Sequence, residues 1–355
     1  MRIFVLAFLF HYTVTAIAQP KPGYKSIFIE DKTWVDAKNL LNDSTLVVIP
    51  LGAAAKEHGP HLLLKNDWLI TDYLTQRIAK EERAIIYPTI NYNFYPGFIE
   101  YPGSTSLSIE TSVDMLVNLC WIISRQGPKR FYILNSGVST TMPLKIAAEQ
   151  LANMGILMMY SDPLSLIKDA ELKVRQQPEG THADEIETSM MLYMAPTTVD
   201  MTKAAREIPT IEKSGPWSPT PEGRGTYHPL GIYGDATLAT REKGEVVVEW
   251  YIKGIRDDMK KLRIASVPKV NTFDPAAFVG TYVDSSEKEL SIVWRDDYLW
   301  IKQPGQPDRR LFFRSPNKFF VGLFGEMIFF SNSSGKINHV YANLQSVDYL
   351  LTRKK

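Results

Sequence analysis

Leu46-Val47-Val48-Ile49-Pro50-Leu51-Gly52 decides the fold: six apolar residues in a row stop at a glycine, and the polar segment Lys56-Glu57-His58-Gly59-Pro60-His61 follows. A short apolar run rich in β-branched residues and bounded by turn formers reads as a strand covered on both faces. Strands of that kind belong to parallel sheets. Working outward, a helical pattern covers about residues 68–80, a second short strand 84–87, a helix 108–125, a strand 131–134, a helix 143–154 and a strand-like run 156–160. This alternation predicts an α/β three-layer sandwich with a mostly parallel sheet. A Pro- and Gly-rich loop is expected over 207–235, and a helix over about 236–262 with Trp250, Tyr251, Ile255 and Met259 on one buried face.

After Pro268 the pattern changes to short strands at 279–282, 290–294, 298–301, 311–313, 327–330 and 339–341, separated by turn residues. They predict a small all-β C-terminal module, barrel-like, whose aromatics fill its own core. Length agrees with a division, since single cores stop growing at roughly 250–300 residues and this chain has 355. The expected boundaries are a leader over 1–18, a main domain over 19–265 and the β module over 270–355.

The leader is read from Met1-Arg2, the apolar run 3–10 and the small-residue triplet Ala16-Ile17-Ala18, which together predict a secretory signal cleaved after Ala18 and a periplasmic or secreted protein. No other segment reaches the ~18 apolar residues of a membrane span. Net charge is +1, too little for a nucleic-acid or anionic-membrane footprint, so the expected partner is a small molecule. Cys120 is the sole cysteine. That rules out an intramolecular disulfide and a cysteine-based metal site, and its apolar helical setting places it in the core.

Beyond the leader there are five histidines, and three of them, His58, His61 and His182, lie in two short acidic segments. The first follows the strand ending at Leu51, and ligands of open α/β sheets collect at the carboxyl ends of strands. Asp67 begins the next helix. Imidazole and carboxylate are the ligands of a hydrolytic divalent ion, and a catalytic zinc keeps three protein ligands and one open position. His58 and Asp67 need one further carboxylate, and His182-Ala183-Asp184-Glu185-Ile186-Glu187 supplies it. Glu187, followed by the apolar run 190–193, is the inward candidate, whereas Asp184 reads as a helix-terminal charge. His228 and His339 read as structural.

These segments resemble the creatininase (creatinine amidohydrolase) family. Pro50-Leu51-Gly52, His58-Gly59-Pro60-His61-Leu62 and Asp67 are similar to its first motif, and Tyr101-Pro102-Gly103-Ser104-Thr105 to its Pro-Gly-Thr segment. His182-Ala183 with Glu187-Thr188-Ser189, and Gly231-Ile232-Tyr233-Gly234-Asp235, match two later motifs in the right order. The resemblance implies hydrolases of cyclic or linear amides with an α/β sandwich, usually two divalent metals, and assembly as homo-hexamers. It also supports His182 as the group that passes a proton to the leaving nitrogen; His61 is read in a structural role.

Two departures stand out. Gly137 occupies the place of a ligating histidine, and the family's first glutamate position is Lys56, with Glu57 one residue late. Because the two lost groups serve the same metal in the family, one ion rather than two is expected, zinc first, with manganese or iron as the other candidates. Glu57 reaches the site as a ligand or a catalytic group if a one-residue bulge re-aims it. Lys56 either partly replaces the missing charge or is a solvated lysine. The expected function is therefore an exported metal-dependent amidohydrolase, and the alternative is a catalytically inactive ligand-binding protein of the same fold. Loops 91–106 and 207–235 are expected to set specificity, with Tyr95 and Trp217 lining the pocket.

Overall fold

The computed structural model describes residues 20–209, 213–269, 274–296, 298–315, 317–321, 325–344 and 347–354; the expected leader lies outside them. Five strands form one sheet: β1 (Ile27–Phe28), β2 (Leu46–Leu51), β3 (Ile85–Ile86), β4 (Arg130–Asn135) and β5 (Leu157–Tyr160), in the order β1-β3-β2-β4-β5. Every pairing is parallel, with β2 against β4 in register from Leu46↔Arg130 to Leu51↔Asn135. All six residues of β2 are buried, and they divide by parity. Leu46 and Val48 pack with helices α2 (Asn66–Glu81), α6 (Glu185–Met194) and α7 (Arg241–Ile264); Val47, Ile49 and Leu51 pack with α3 (Ile109–Ser124) and α4 (Thr141–Asn153). That is the three-layer α/β sandwich the apolar run implied. Cys120 sits in the second of these cores.

Helix α7 starts later than its periodicity suggested. Residues Ala236–Leu238 form a separate 3-10 turn capped by Asp235, and Thr240 caps α7 by accepting from the Lys243 N–H. Helix α1 (Trp34–Leu40) precedes β2, and helix α5 (Pro163–Val174) lies beside α7. The short strands β6 (Arg206–Glu207) and β7 (Gly234–Asp235) pair antiparallel at the base of the 207–235 loop.

The C-terminal module is a closed antiparallel barrel of strands β8 (Gly280–Val283), β9 (Glu289–Arg295), β10 (Tyr298–Lys302), β11 (Arg309–Ser315), β12 (Lys318–Val321), β13 (Gly325–Ser331), β14 (Ile337–Leu344) and β15 (Val347–Arg353). Phe278, Tyr282, Phe319 and Phe329 fill its interior in edge-to-face contacts. Phe312 instead joins the core between the sheet and α3 and α4, and the buried Arg310 pairs with Asp114 of α3, so β11 docks the barrel onto the sandwich.

Candidate active site

The site stands where β2 ends. Gly52 is required there, because a Cβ would run into Thr71 and into the Asp67 carbonyl, 2.5 Å away, as α2 comes down on the strand end. Residues 52–65 form a loop without strand pairing. It is tied by Lys56 N–H to Leu64 C=O (3.0 Å), Trp68 N–H to Ala53 C=O (3.0 Å) and Glu57 N–H to Ser104 Oγ (2.9 Å). The expected bulge is therefore absent: the loop takes up the extra residue, and its path turns Lys56, Glu57 and His58 inward. All three are buried.

His58 is fully enclosed. Its Nδ1 lies 2.9 Å from the Lys56 carbonyl, which can only accept, so Nδ1 carries the proton. The Nε2 faces Asp67 Oδ1 at 2.9 Å and Glu187 Oε1 at 3.5 Å. Burial and Lys56 lower the imidazole's affinity for a proton, but Asp67 and Glu187 outweigh them and raise its pKa. Burial opposes ionisation of Asp67 as well, yet Lys56 and His58 hold its carboxyl well below the usual range. Its place in the first turn of α2 adds the favourable helix-terminal field.

The second segment approaches through a strained turn. Ala183 has φ 49°, the left-handed region that side chains with a Cβ rarely enter, and the turn separates the two jobs of its neighbours. Asp184 caps α6 by accepting from Ile186 and Glu187 N–H at 3.0 and 2.9 Å, as expected of a helix-terminal charge, with its carboxyl pushed up to about 7 by burial. Glu187 is held by Ala183 N–H (2.8 Å) and Asn66 Nδ2 (2.9 Å); burial opposes its ionisation, but His58 and His182 hold its pKa down.

His182 places Nε2 3.1 Å from Glu57 Oε2 and Nδ1 4.0 Å from Glu187 Oε2. Glu57 also accepts from the Gly59 N–H. Both oxygens of Glu57 are engaged, and among the described residues the donor atoms that converge within 4.8 Å belong to His58, His182 and Glu187. His182 was read only as a proton carrier, and its place in that cluster went unforeseen. So did Asn66, although it directly precedes Asp67. His61 lies aside, with Nε2 2.8 Å from Thr188 Oγ1 and its pKa lowered by burial. Gly137 presents no side chain; Asn135 folds the turn after β4 by accepting from Gly137 N–H (3.1 Å) and donating to its C=O (2.7 Å).

A cavity of about 310 Å³ opens over these groups, lined by Lys56, Asp67, His182 and Glu187 and by apolar residues including Ile70, Leu164, Ile167 and Met190. Phe98 and Trp217, from the two loops expected to set specificity, bracket His182 with ring centroids 4.4 and 5.4 Å away. His228 stacks on Trp217 at 4.0 Å and supports that wall. Tyr95 does not line the cavity: it is buried, with its ring 6.0 Å from Lys56 Nζ.

A parallel sheet that gathers imidazoles and carboxylates at its carboxyl edge, under an aromatic wall, places the chain among hydrolytic α/β sandwich enzymes. It belongs to the creatininase family, whose model, described as creatinine amidohydrolase, matches residues 30–258. Over 260 residues it is 26% identical to the creatinine amidohydrolase of Pseudomonas putida, covering 67% of this chain and 97% of that one. Over 271 residues it is 24% identical to the 3-dehydro-scyllo-inosose hydrolase of Thermotoga maritima, covering 68% and 86%. A solved creatininase described with Mn shares the fold, with TM-score 0.56, 24% identity, and coverage of 68% of this chain and 100% of that one. These relatives are hydrolases, and this chain is a hydrolase of their family that acts on C–N bonds. The barrel lies beyond the matched region.

Proposed function

We propose that this protein is an exported amidohydrolase that holds one divalent ion at His58, Asp67 and Glu187 and cleaves a C–N bond in a cyclic or linear amide. The observation that carries the reading is the His58 ring. Its Nδ1 donates to the Lys56 carbonyl, so Nε2 faces two carboxylate oxygens, 2.9 and 3.5 Å away. Two carboxylates facing an imidazole out of water favour positive charge there, a proton on Nε2 or a divalent ion that takes its place. The donor set suits a divalent ion such as zinc, with manganese the next candidate, since ligand atoms around a tetrahedral zinc stand roughly 3.3 Å apart. His182, whose donor atom also lies within 4.8 Å of those of His58 and Glu187, is assigned the proton-carrying role.

Such an ion supplies acidification of a water and polarisation of the amide carbonyl. The chain's own residues do the rest. Glu57 accepts the Nε2 proton of His182, which fixes the tautomer and turns the Nδ1 lone pair towards Glu187 and the cavity. From there His182 takes a proton from the attacking water and delivers it to the departing nitrogen. Phe98, Trp217 and the apolar floor exclude bulk water and favour an uncharged amide. Export rests on residues 1–18 and predicts a mature chain beginning at Gln19.

The test is elemental analysis of the purified chain, together with hydrolysis of a panel of lactams and linear amides with and without chelator. One ion per chain is expected, with turnover lost on chelation. Thermal stability should fall as well, because an ion at 100 times its Kd contributes about 2.7 kcal/mol. A chain that retains no ion and whose turnover and melting ignore chelator would sink the reading.

A further inference from the structure

Lys56 is the one feature of the pocket that hydrolysis by a single ion leaves unexplained. Its side chain is buried although it ends in a charge, and its Nζ lies 2.8 Å from Asp67 Oδ2. The opposite oxygen of the same carboxylate faces His58 Nε2 at 2.9 Å. Asp67 thus bridges two positions that both call for positive charge, as a carboxylate does between paired metal ions. The ammonium is also 4.8 Å from the Phe98 ring and 6.0 Å from that of Tyr95, close enough for the aromatic faces to favour a cation and shield it from water. The bond from Lys56 N–H to Leu64 C=O fixes its backbone.

We infer that the Lys56 ammonium is the second cation of this centre, built into the chain and standing beside Asp67 where a second divalent ion would otherwise bind. The inference rests on the one-ion reading above. Space supports it: an ion ligated by Asp67 Oδ2 would sit about 2.0–2.2 Å from that oxygen, in the room the ammonium takes. Charge supports it as well. Glu57, Asp67 and Glu187 bring three negative charges to the centre, which Lys56 and one divalent ion balance, whereas a second divalent ion would leave an uncompensated positive excess in a buried pocket.

Zinc bound per chain, measured by native mass spectrometry and by calorimetric titration, tests this on the full chain, with circular dichroism as the check on folding. Wild type should bind one ion. Lys56→Glu removes the ammonium and adds a carboxylate beside Asp67, so its stoichiometry should rise to two. Lys56→Met, which clears the space without adding a ligand, should admit a second ion at least tenfold more weakly than Lys56→Glu does. Two ions in the wild type would overturn the inference and leave metal dependence standing, and one ion in wild type and both variants would overturn it equally. No ion in the wild type would instead bring down the metal reading itself, and this inference with it.

Discussion

Replacing Glu57 by Gln changes one carboxylate oxygen to an amide NH2 and leaves the shape of the side chain alone, which makes it a clean probe of the His182 tautomer. In the wild type both carboxylate oxygens are acceptors, one for the Gly59 N–H and the other for His182 Nε2–H at 3.1 Å. An amide can satisfy only one of them. If its oxygen stays on Gly59, its NH2 faces His182 Nε2, the ring is driven to the Nδ1–H tautomer, and a proton points towards Glu187 where a lone pair is needed. If its oxygen turns to His182, two N–H donors meet at Gly59. The first arrangement reverses the tautomer and the second leaves the Gly59 N–H without an acceptor, each at a cost of about 1–3 kcal/mol. In rate or ion affinity this corresponds to roughly 10–100-fold, the range found when the partner of a ligating or catalytic histidine is removed. Turnover on a cleaved amide and zinc affinity by chelator competition would be compared with wild type, using melting temperature to exclude global unfolding. If the Gln variant keeps both within twofold, Glu57 does not orient His182, and the proton-carrying role assigned to that histidine loses its support.

Two further outcomes follow from close contacts. Gly231 has φ 67°, and a Cβ there would collide with the Glu57 carboxylate, so Gly231→Ala should reproduce the activity loss of Glu57→Gln and also cost about 1–2 kcal/mol of stability for the left-handed backbone; wild-type turnover in this variant would show that Glu57 has room to move. Phe312→Ala should cost about 3–5 kcal/mol, because that barrel side chain is buried in the core of the sandwich, and it should speed release of the barrel in limited proteolysis; unchanged cleavage would mean that β11 does not secure the docking.

How much of this was legible in the sequence depended on how far apart the deciding residues lie. The strand Leu46–Leu51 and its place in a doubly covered sheet could be read directly, since six buried positions leave an uninterrupted apolar run. The order β1-β3-β2-β4-β5 could not, because apolar runs do not encode which strands pair. In the barrel, β12 and β15 went unrecognised: β12 has four residues, and β15 keeps only Leu351 buried, so neither shows a sustained alternation. At the site, Asp67 and Glu187 each stand at the start of a helix whose apolar run fixes their direction, whereas His58 shares the irregular loop of Lys56 and Glu57 and was singled out by its motif alone.

Lys56 and Glu57 were harder for the opposite reason, since they lie in an irregular loop where no period says which side faces in. Their directions are set by bonds to Leu64 and Ser104 and by the landing of α2 on Gly52. A lysine in a loop ordinarily projects into water; this one is buried because the carboxylate that compensates it, Asp67, arrives eleven residues later on another element. The signal that was present is the pairing of two substitutions, Gly137 where a ligand is expected and a cation at Lys56. Of these two, the structure places the cation: Lys56 Nζ stands 2.8 Å from the Asp67 carboxylate, a partner that no local period in its own loop could announce.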